Sequence, residues 1–186
     1  MILILLILVI LFITFFMLYK KYTKRPIVLL KDTHKFNGTK EIIIPSIDLK
    51  DNEMNTGQVF TLVFGIKTEN IPVSELGNQP LSLFKRGESF TVNYNPQNGN
   101  FEFNIMHSKD SNYKIILDNV PNQRWVEIKF CLNGRRAIIF LDNTLTVADI
   151  IPGVPLVKDR ELIIGSKYKG FVGSIKDVLY YNYCAT

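Results

Sequence analysis

Two patterns of apolar and polar residues divide the chain. Residues 1–19 form a continuous apolar run in which Thr14 is the only clearly polar side chain. Its hydroxyl can bond back to a helix carbonyl. A helix of this length spans about 28 Å, close to the hydrocarbon thickness of a bilayer. Because the run is apolar on every side, it predicts a transmembrane helix rather than a helix packed on a domain surface.

A cleaved signal peptide is the alternative interpretation of this run. No basic residue precedes it, it exceeds the usual apolar length of a signal peptide, and no small-residue cleavage site follows it. We therefore expect residues 1–19 to stay attached and to anchor the chain in a lipid bilayer.

The residues after the run suit a membrane surface, where aromatic rings with a polar tip and basic side chains accumulate. Four positive charges follow the run and none precedes it, so the positive-inside rule predicts that the rest of the chain faces the cytosol. The sequon Asn37-Gly38-Thr39 would indicate the opposite side if it were glycosylated. The predicted membrane-flanking residues are Tyr19, Lys20, Lys21, Lys24 and Arg25.

Beyond residue 40 the apolar residues recur with a period of two, in short runs separated by turn residues. This pattern divides the chain into a transmembrane helix (1–19), a basic juxtamembrane linker (20–40) and one domain (41–186). Many short strands without intervening helices predict an all-β fold, an antiparallel two-sheet β-sandwich of the jelly-roll kind. The predicted strands are Glu41–Pro45, Gln58–Ile66, Leu81–Phe84, Ser89–Tyr94, Asn100–Met106, Tyr113–Leu117, Trp125–Leu132, Ala137–Leu141, Glu161–Ile164 and Gly173–Tyr181.

Composition and charge narrow this picture. Without the apolar run, roughly 160 of the 186 residues remain, enough for one well-cored domain. Four of the 22 basic residues belong to the membrane flank, and the other 18 nearly balance the 17 acidic residues. The basic excess is therefore local and does not indicate nucleic-acid binding. Cys131 and Cys184 are too few for a disulfide-built scaffold, and we expect two free thiols, with pairing as the alternative.

The part of the chain from Asn122 onward resembles the concanavalin A-like lectin/glucanase superfamily, and within it the laminin G-like group. Four segments in order carry the resemblance, and Asn143 stands where the family usually has Gly. An N-terminal anchor before such a domain also resembles proteins of large DNA viruses of eukaryotes. The segments are Asn122-Gln-Arg-Trp-Val-Glu-Ile128, Asn133-Gly-Arg-Arg-Ala-Ile-Ile-Phe-Leu-Asp-Asn143, Glu161-Leu-Ile-Ile-Gly165 and Gly170-Phe-Val-Gly-Ser-Ile-Lys-Asp-Val-Leu-Tyr-Tyr-Asn182.

The resemblance implies structural roles for several of these residues. Trp125 is expected to anchor the core between the sheets, since it buries a large area. Phe171 begins the closing strand, whose alternation is that of a half-buried strand. Gly165 and Gly173 are expected where strands bend or another backbone comes close.

The same resemblance raises two kinds of chemistry. Glycosidases need two carboxylates flanking the sugar, and the relatives with this activity carry alternating acids on one strand. No such pattern occurs here, so we expect no enzyme. Lectin relatives hold calcium through Asp and Asn oxygens, and Asp142 and Asn143 are candidates, although a hairpin turn explains them better. We expect no other cofactor or metal.

Two functions fit these features. The first is a non-catalytic interaction or structural module, with a protein partner, in the viral setting a virion inner-membrane or minor capsid component that links the membrane to the shell. The second is a membrane-displayed, lectin-like carbohydrate-binding protein. The candidate contact residues for a glycan or protein are Tyr94, Asn95, Asn98, Tyr113 and Tyr168.

Overall fold

A computed structural model describes residues 9–17, 25–49, 59–69, 79–108, 111–156 and 160–185. Within these residues, thirteen strands form two antiparallel sheets that face each other. Sheet A contains β1 (Ile27–Leu30), β2 (His34–Asn37), β4 (Val59–Thr68), β9 (Val126–Asn133), β10 (Arg136–Leu141), β11 (Thr144–Ile150) and β13 (Val172–Tyr181). Sheet B contains β3 (Glu41–Ile44), β5 (Leu81–Arg86), β6 (Phe90–Asn95), β7 (Asn100–His107), β8 (Ser111–Leu117) and β12 (Leu162–Gly165).

The order of the strands determines which strands form the edges of each sheet. Sheet A runs β1-β13-β4-β9-β10-β11, with β2 paired to the first part of β13 and β1 to its last part. Sheet B runs β3-β12-β5-β6-β7-β8. The all-β, antiparallel two-sheet sandwich predicted from the sequence is therefore confirmed. Strands β11 and β8 form the edges on one side of the sandwich, and β1 and β3 form those on the other.

The core lies between the sheets and is rich in aromatic rings. Phe130 of β9 lies 5.1 Å from both Phe90 and Phe103 across the interface, measured between ring centroids. These rings are buried because alternate residues of each strand point inward. Stacked and tilted rings at this spacing add to the free energy of simple burial.

Two tight turns join β9 to β10 and β10 to β11, and the second is the hairpin turn expected at Asp142 and Asn143. Asn133 and Arg136 pair across the β9–β10 turn, in which Gly134 has a φ of 56°. Asp142 and Asn143 form the β10–β11 turn with φ values of 48° and 63°. Both residues tolerate this left-handed conformation, which a two-residue hairpin requires.

Three of the residues assigned to the fold have the expected structural roles. Phe171 is fully buried. Gly165 has a φ of 80°, and an added Cβ would come within 2.8 Å of the Phe36 ring. At Gly173 an added Cβ would lie 2.5 Å from the carbonyl oxygen of Lys67. Only glycine fits these two close approaches.

Trp125 does not anchor the core, and this prediction was wrong. The residue directly precedes β9 and is only half-buried. Its ring receives the Lys176 ammonium at 4.8 Å from the centroid, on the outer face of sheet A. The neighbouring Val126 points inward instead, because successive side chains of a strand point to opposite faces.

The predicted linker contains part of the domain. β1 and β2 lie at residues 27–30 and 34–37 and pair with β13, so the sandwich begins by residue 27 and not at residue 41. β11 is also absent from the predicted strands. Its side chains are mostly exposed on both faces, because it is an edge strand, and it therefore lacks the apolar alternation that marks the others.

Helical residues lie outside the sheets in two places. Residues 9–17 form α1, in which the Thr14 hydroxyl donates a hydrogen bond to the Leu11 carbonyl at 2.9 Å. Its apolar side chains are exposed. α2 spans Ser46–Leu49. No helix among the described residues reaches the length and apolarity that crossing a membrane requires.

The two cysteines are paired. Cys131 of β9 and Cys184, which follows β13, form a disulfide with a Cα–Cα distance of 5.4 Å. The expectation of two free thiols was wrong. Nothing in the sequence indicates that the segment after β13 crosses the outer face of sheet A at β9.

Candidate functional site

The outer face of sheet B carries a polar row that crosses four strands. Lys85 of β5 pairs with Thr91 of β6, Thr91 pairs with Asn104 of β7, and Asn104 pairs with Lys114 of β8. Directly paired side chains on one face lie about 5 Å apart. The row therefore sets an ammonium, a hydroxyl, an amide and a second ammonium side by side.

This face is polar because the inner face of the same strands is apolar. In β6, Phe90, Val92 and Tyr94 are buried while Thr91 and Asn93 point outward. In β7 the buried residues alternate in the same way with the half-buried Asn100, Glu102, Asn104 and Met106. Alternation with a period of two thus builds the core and the polar face together.

Hydrogen bonds hold the side chains of the polar face in place. The Glu102 carboxylate accepts a bond from the Lys114 ammonium at 2.9 Å. The Glu102 side chain is only 12% exposed, whereas that of Lys114 is 51% exposed. The Asn104 amide nitrogen donates to the Thr91 hydroxyl at 3.3 Å. The ammonium therefore fixes a carboxylate that is already largely covered by its neighbours.

The polar face forms an open groove of about 520 Å³, which we call the sheet-B groove. Its walls present amide, hydroxyl, carboxylate and ammonium groups, with one apolar side chain at one end. A shallow groove with several convergent polar groups binds polar ligands by hydrogen bonds. The lining residues are Lys85, Gly87, Glu88, Thr91, Glu102, Asn104, Met106, Asn112 and Lys114.

The groove lining includes two carboxylates, which lie on different elements. Glycosidase sites need two carboxylates on either side of the scissile bond. On the outer face of β7, Glu102 stands between Asn100 and Asn104, so the strand supplies one carboxylate and two amides. Glu88 belongs to the β5–β6 turn.

Metal ligands are not assembled among the described residues, in which no cluster of three or more His, Cys, Asp or Glu side chains is present. The two carboxylate oxygens of Asp142 accept bonds from the Glu127 backbone N–H at 2.8 Å and from the Arg124 guanidinium at 3.2 Å. These bonds tie the β10–β11 turn to the start of β9, which is the structural role of Asp142.

One side-chain pair combines a hydroxyl and an imidazole, with the serine exposed and the imidazole buried. The Ser111 hydroxyl lies 3.0 Å from His107 Nε2, and His107 is buried. Gly153 packs against the ring so closely that an added Cβ would lie 2.6 Å from Nδ1. The Ser108 backbone N–H also donates to the Val154 carbonyl at 2.8 Å. These contacts join the β7–β8 turn to the segment after β11.

The predicted contact residues do not gather at one site. Tyr94 is buried against Phe101 and Phe171 at centroid distances of 5.0 and 5.8 Å, so its ring belongs to the core and that prediction was wrong. Burial raises its pKa. Asn95 ends β6 and Asn98 lies in the β6–β7 turn, and their side-chain oxygens accept backbone N–H bonds at 3.1 Å.

The other two predicted contacts lie elsewhere. Tyr168 is 85% exposed in the β12–β13 loop. Tyr113 donates its hydroxyl to the Asp149 carboxylate at 2.7 Å, and this bond raises the pKa of Tyr113. Tyr113 pairs with Ile105 of β7, and Asn95 pairs with Asn100 of the same strand. Tyr113 and Asn95 are therefore about 17 Å apart, measured along β7.

Most of the predicted membrane-flanking residues cannot be placed. Tyr19, Lys20, Lys21 and Lys24 lie outside the described residues. Arg25 is described and exposed, two residues before β1 begins.

Solved structures with the same fold bind receptors or sugars according to their descriptions. The receptor-binding domain of botulinum neurotoxin D matches with a TM-score of 0.66 and 13% identity, over 86% of this chain and 43% of that chain. A second structure of the serotype D binding domain matches with a TM-score of 0.65 and 12% identity, over 82% of this chain and 39% of that chain. A third match is domain 4 of AbnA, a GH43 extracellular arabinanase from Geobacillus stearothermophilus, in complex with arabinotriose. Its TM-score is 0.59 and its identity 15%, over 83% of this chain and 72% of that chain.

These comparisons establish the fold. The chain is an antiparallel two-sheet β-sandwich with the fold of these domains, and it spans less than half of the length of the two neurotoxin chains. No protein-family model matches the chain, and no curated protein matches it in sequence.

Sequence reasoning missed the residues of the sheet-B groove. The alternation in Phe90–Asn95 and Asn100–His107 already marked their outward positions as polar. The sequence did not reveal that β5, β6, β7 and β8 are neighbours in this register, because strand order is set by packing between distant segments.

Proposed function

We propose that this chain is a membrane-anchored, non-catalytic binding module that holds an oligosaccharide in the sheet-B groove. The observation that carries the proposal is the in-register row of Lys85, Thr91, Asn104 and Lys114 beside Glu102. Sugar hydroxyls both donate and accept hydrogen bonds, and the row offers donors, acceptors and both charges within one groove.

The chemistry of the groove sets the strength of binding. A neutral hydrogen bond contributes about 1 kcal/mol net, and a bond to a charged group about 1.5–3 kcal/mol. A few such bonds, after the cost of ordering the ligand, correspond to a dissociation constant on the order of 1 mM. Several copies on one membrane would raise the effective affinity through multivalency.

The membrane half of the proposal is supported by the sequence of residues 1–19 and by the exposed apolar side chains of α1. Extraction of membranes with alkaline carbonate tests it. The full chain should stay in the membrane pellet, and a chain without residues 1–19 should move to the supernatant. Full release of the complete chain would contradict anchoring.

A glycan array tests the binding half. The full chain in mild detergent should give reproducible binding to a defined set of oligosaccharides, and Asn104→Ala should weaken it. Tyr168→Ala is the matched control, since Tyr168 is exposed but lies outside the groove. Binding that depends on Tyr168 and not on Asn104 would move the site to the β12–β13 loop.

A protein partner is the second candidate, favoured by a different surface. The β10–β11 apolar surface consists of Ile138, Phe140, Leu145, Ala148 and Ile150 around an open groove of about 350 Å³. Leu145 and Ile150 are 56% and 62% exposed. β11 is the edge of sheet A, so its outer backbone groups can pair with an extended segment of a partner.

In the viral setting that partner would be a capsid-shell protein, and the chain would link membrane to shell. A photo-crosslinking residue at position 145 should then give one defined adduct in native particles or cells. The same residue at position 43, which is exposed on β3 at the opposite side of the sandwich, should not give it. An equal adduct at both positions would contradict a docking role for this surface.

A further inference from the structure

The disulfide lies beneath the segment that follows β13. Cys131 is fully buried on the outer face of sheet A, next to Thr61 of β4 in the register. The Thr61 hydroxyl donates to the Tyr183 carbonyl at 2.8 Å and accepts the Ala185 backbone N–H at 2.8 Å. The cross-link therefore belongs to a built contact between the final segment and the sheet.

A disulfide of this kind carries information about the compartment. Cys131 and Cys184 are the chain's two cysteines, so each has a single intramolecular partner. Their Cα atoms are 5.4 Å apart, a distance that a disulfide spans. Cytosolic reductants keep thiols reduced, whereas structural disulfides form in the secretory pathway and outside the cell. The bridge indicates an oxidising environment.

A second and independent observation concerns the sequon Asn37-Gly38-Thr39. Asn37 ends β2 and is exposed, and Gly38 turns the chain with a φ of 86°. The Thr39 hydroxyl donates to the Asn37 side-chain oxygen at 3.1 Å. The amide and hydroxyl that an N-glycosylation acceptor requires thus already lie in contact on an open turn.

The turn also lies clear of the sheet-B groove. β2 pairs with β13 in sheet A, whereas the groove is on β5, β6, β7 and β8 of sheet B. The Gly38 N–H donates to the Phe171 carbonyl at 3.2 Å, and the Gly38 carbonyl accepts the Gly170 N–H at 2.9 Å. The turn is held by its backbone, so a glycan on the Asn37 side chain would displace no backbone contact.

We infer that the sandwich matures on the lumenal or extracellular side of a membrane, with Cys131 bonded to Cys184 and an N-linked glycan on Asn37. This orientation is the reverse of the one that the basic cluster predicts. The positive-inside rule is a bias measured on flanking charges, and long domains translocate largely regardless of charge. The disulfide and the exposed sequon, which lie far apart in the sequence, both indicate the opposite side of the membrane. The inference stands whether or not the groove binds sugar.

Expression of the full chain in cultured eukaryotic cells tests both modifications. Treatment with an endoglycosidase that removes N-linked glycans should shift the wild-type chain by one discrete step on a gel. Asn37→Gln and Thr39→Ala should abolish the shift. Thr39→Ser is the matched control and should keep it, because serine also supplies the hydroxyl. Both positions are exposed, so folding should survive these changes.

Thiol labelling and protease protection complete the test. Denatured but unreduced chain should take up no maleimide mass tag, and reduced chain should take up two. The domain should resist protease in sealed microsomes. A chain with two reactive thiols would overturn the disulfide. A protected, oxidised chain without the gel shift would overturn the modification of Asn37. A protease-accessible domain would overturn the compartment assignment.

Discussion

Removing the disulfide offers the most quantitative test of the fold. The two cysteines are 53 residues apart, and the bond closes that loop in the unfolded chain. The chain-entropy relation gives about 4 kcal/mol of stabilisation at 25 °C for a loop of this size. Because domains unfold with net free energies of about 5–15 kcal/mol, a change of that size is a large fraction of the total.

Urea unfolding of the full chain in mild detergent measures this contribution. The double variant Cys131→Ala/Cys184→Ala should lose about 4 kcal/mol relative to the oxidised wild type. If the free energy of unfolding falls by about 2 kcal/mol per molar urea, the urea midpoint of the double variant should be about 2 M lower than that of the wild type. Near-UV circular dichroism of the buried aromatic rings reports the transition.

Reduction provides the control. A thiol reductant should lower the midpoint of the wild type towards that of the double variant and should leave the variant unchanged. If the wild-type midpoint does not respond to reductant and matches that of the variant, the cysteines are not joined in the folded chain.

Three further changes test other parts of the account. Trp125→Ala should lower the free energy of unfolding by about 2 kcal/mol, less than the roughly 3–5 kcal/mol typical of a fully buried aromatic ring, because only part of the Trp125 ring is covered. A loss above about 4 kcal/mol in urea unfolding would place the ring in the core. Gly165→Ala should cost at least about 1–3 kcal/mol from the positive φ alone, so an unchanged melting temperature would refute the close approach to Phe36. The bond to Asp149 raises the pKa of Tyr113, so the stability from this bond is present below about pH 10 and is lost as the pH rises through the raised pKa. In Tyr113→Phe the urea midpoint should therefore depend less steeply on alkaline pH than in the wild type. An equally steep dependence in both would contradict the assignment.

The elements that the sequence predicts well are those with one buried face. β6 and β7 alternate apolar and polar residues, so their existence and their inward faces follow from periodicity alone. The same alternation also indicates that Tyr94 shares the inward face of Phe90 and Val92. Its assignment as a ligand contact followed residue type, and the periodicity was the better guide.

The parts that sequence reasoning missed depend on contacts between distant segments. β11 is an edge strand with little burial, so periodicity does not mark it. β1 and β2 are four residues each and become strands by pairing with β13. The approach of Cys184 to Cys131 and the row across β5, β6, β7 and β8 likewise arise from tertiary packing, which a single sequence does not encode in a local pattern.

Binding of an oligosaccharide in the sheet-B groove is the function that we propose for this chain. Its most direct measurement is the affinity of the full chain, in mild detergent, for the best oligosaccharide from the array, compared among wild type, Asn104→Ala and Tyr168→Ala. Asn104→Ala should weaken binding about tenfold, the equivalent of one hydrogen bond of about 1.4 kcal/mol, and Tyr168→Ala should leave it unchanged. Equal affinities for wild type and Asn104→Ala, or no saccharide bound by the wild type, would contradict the account.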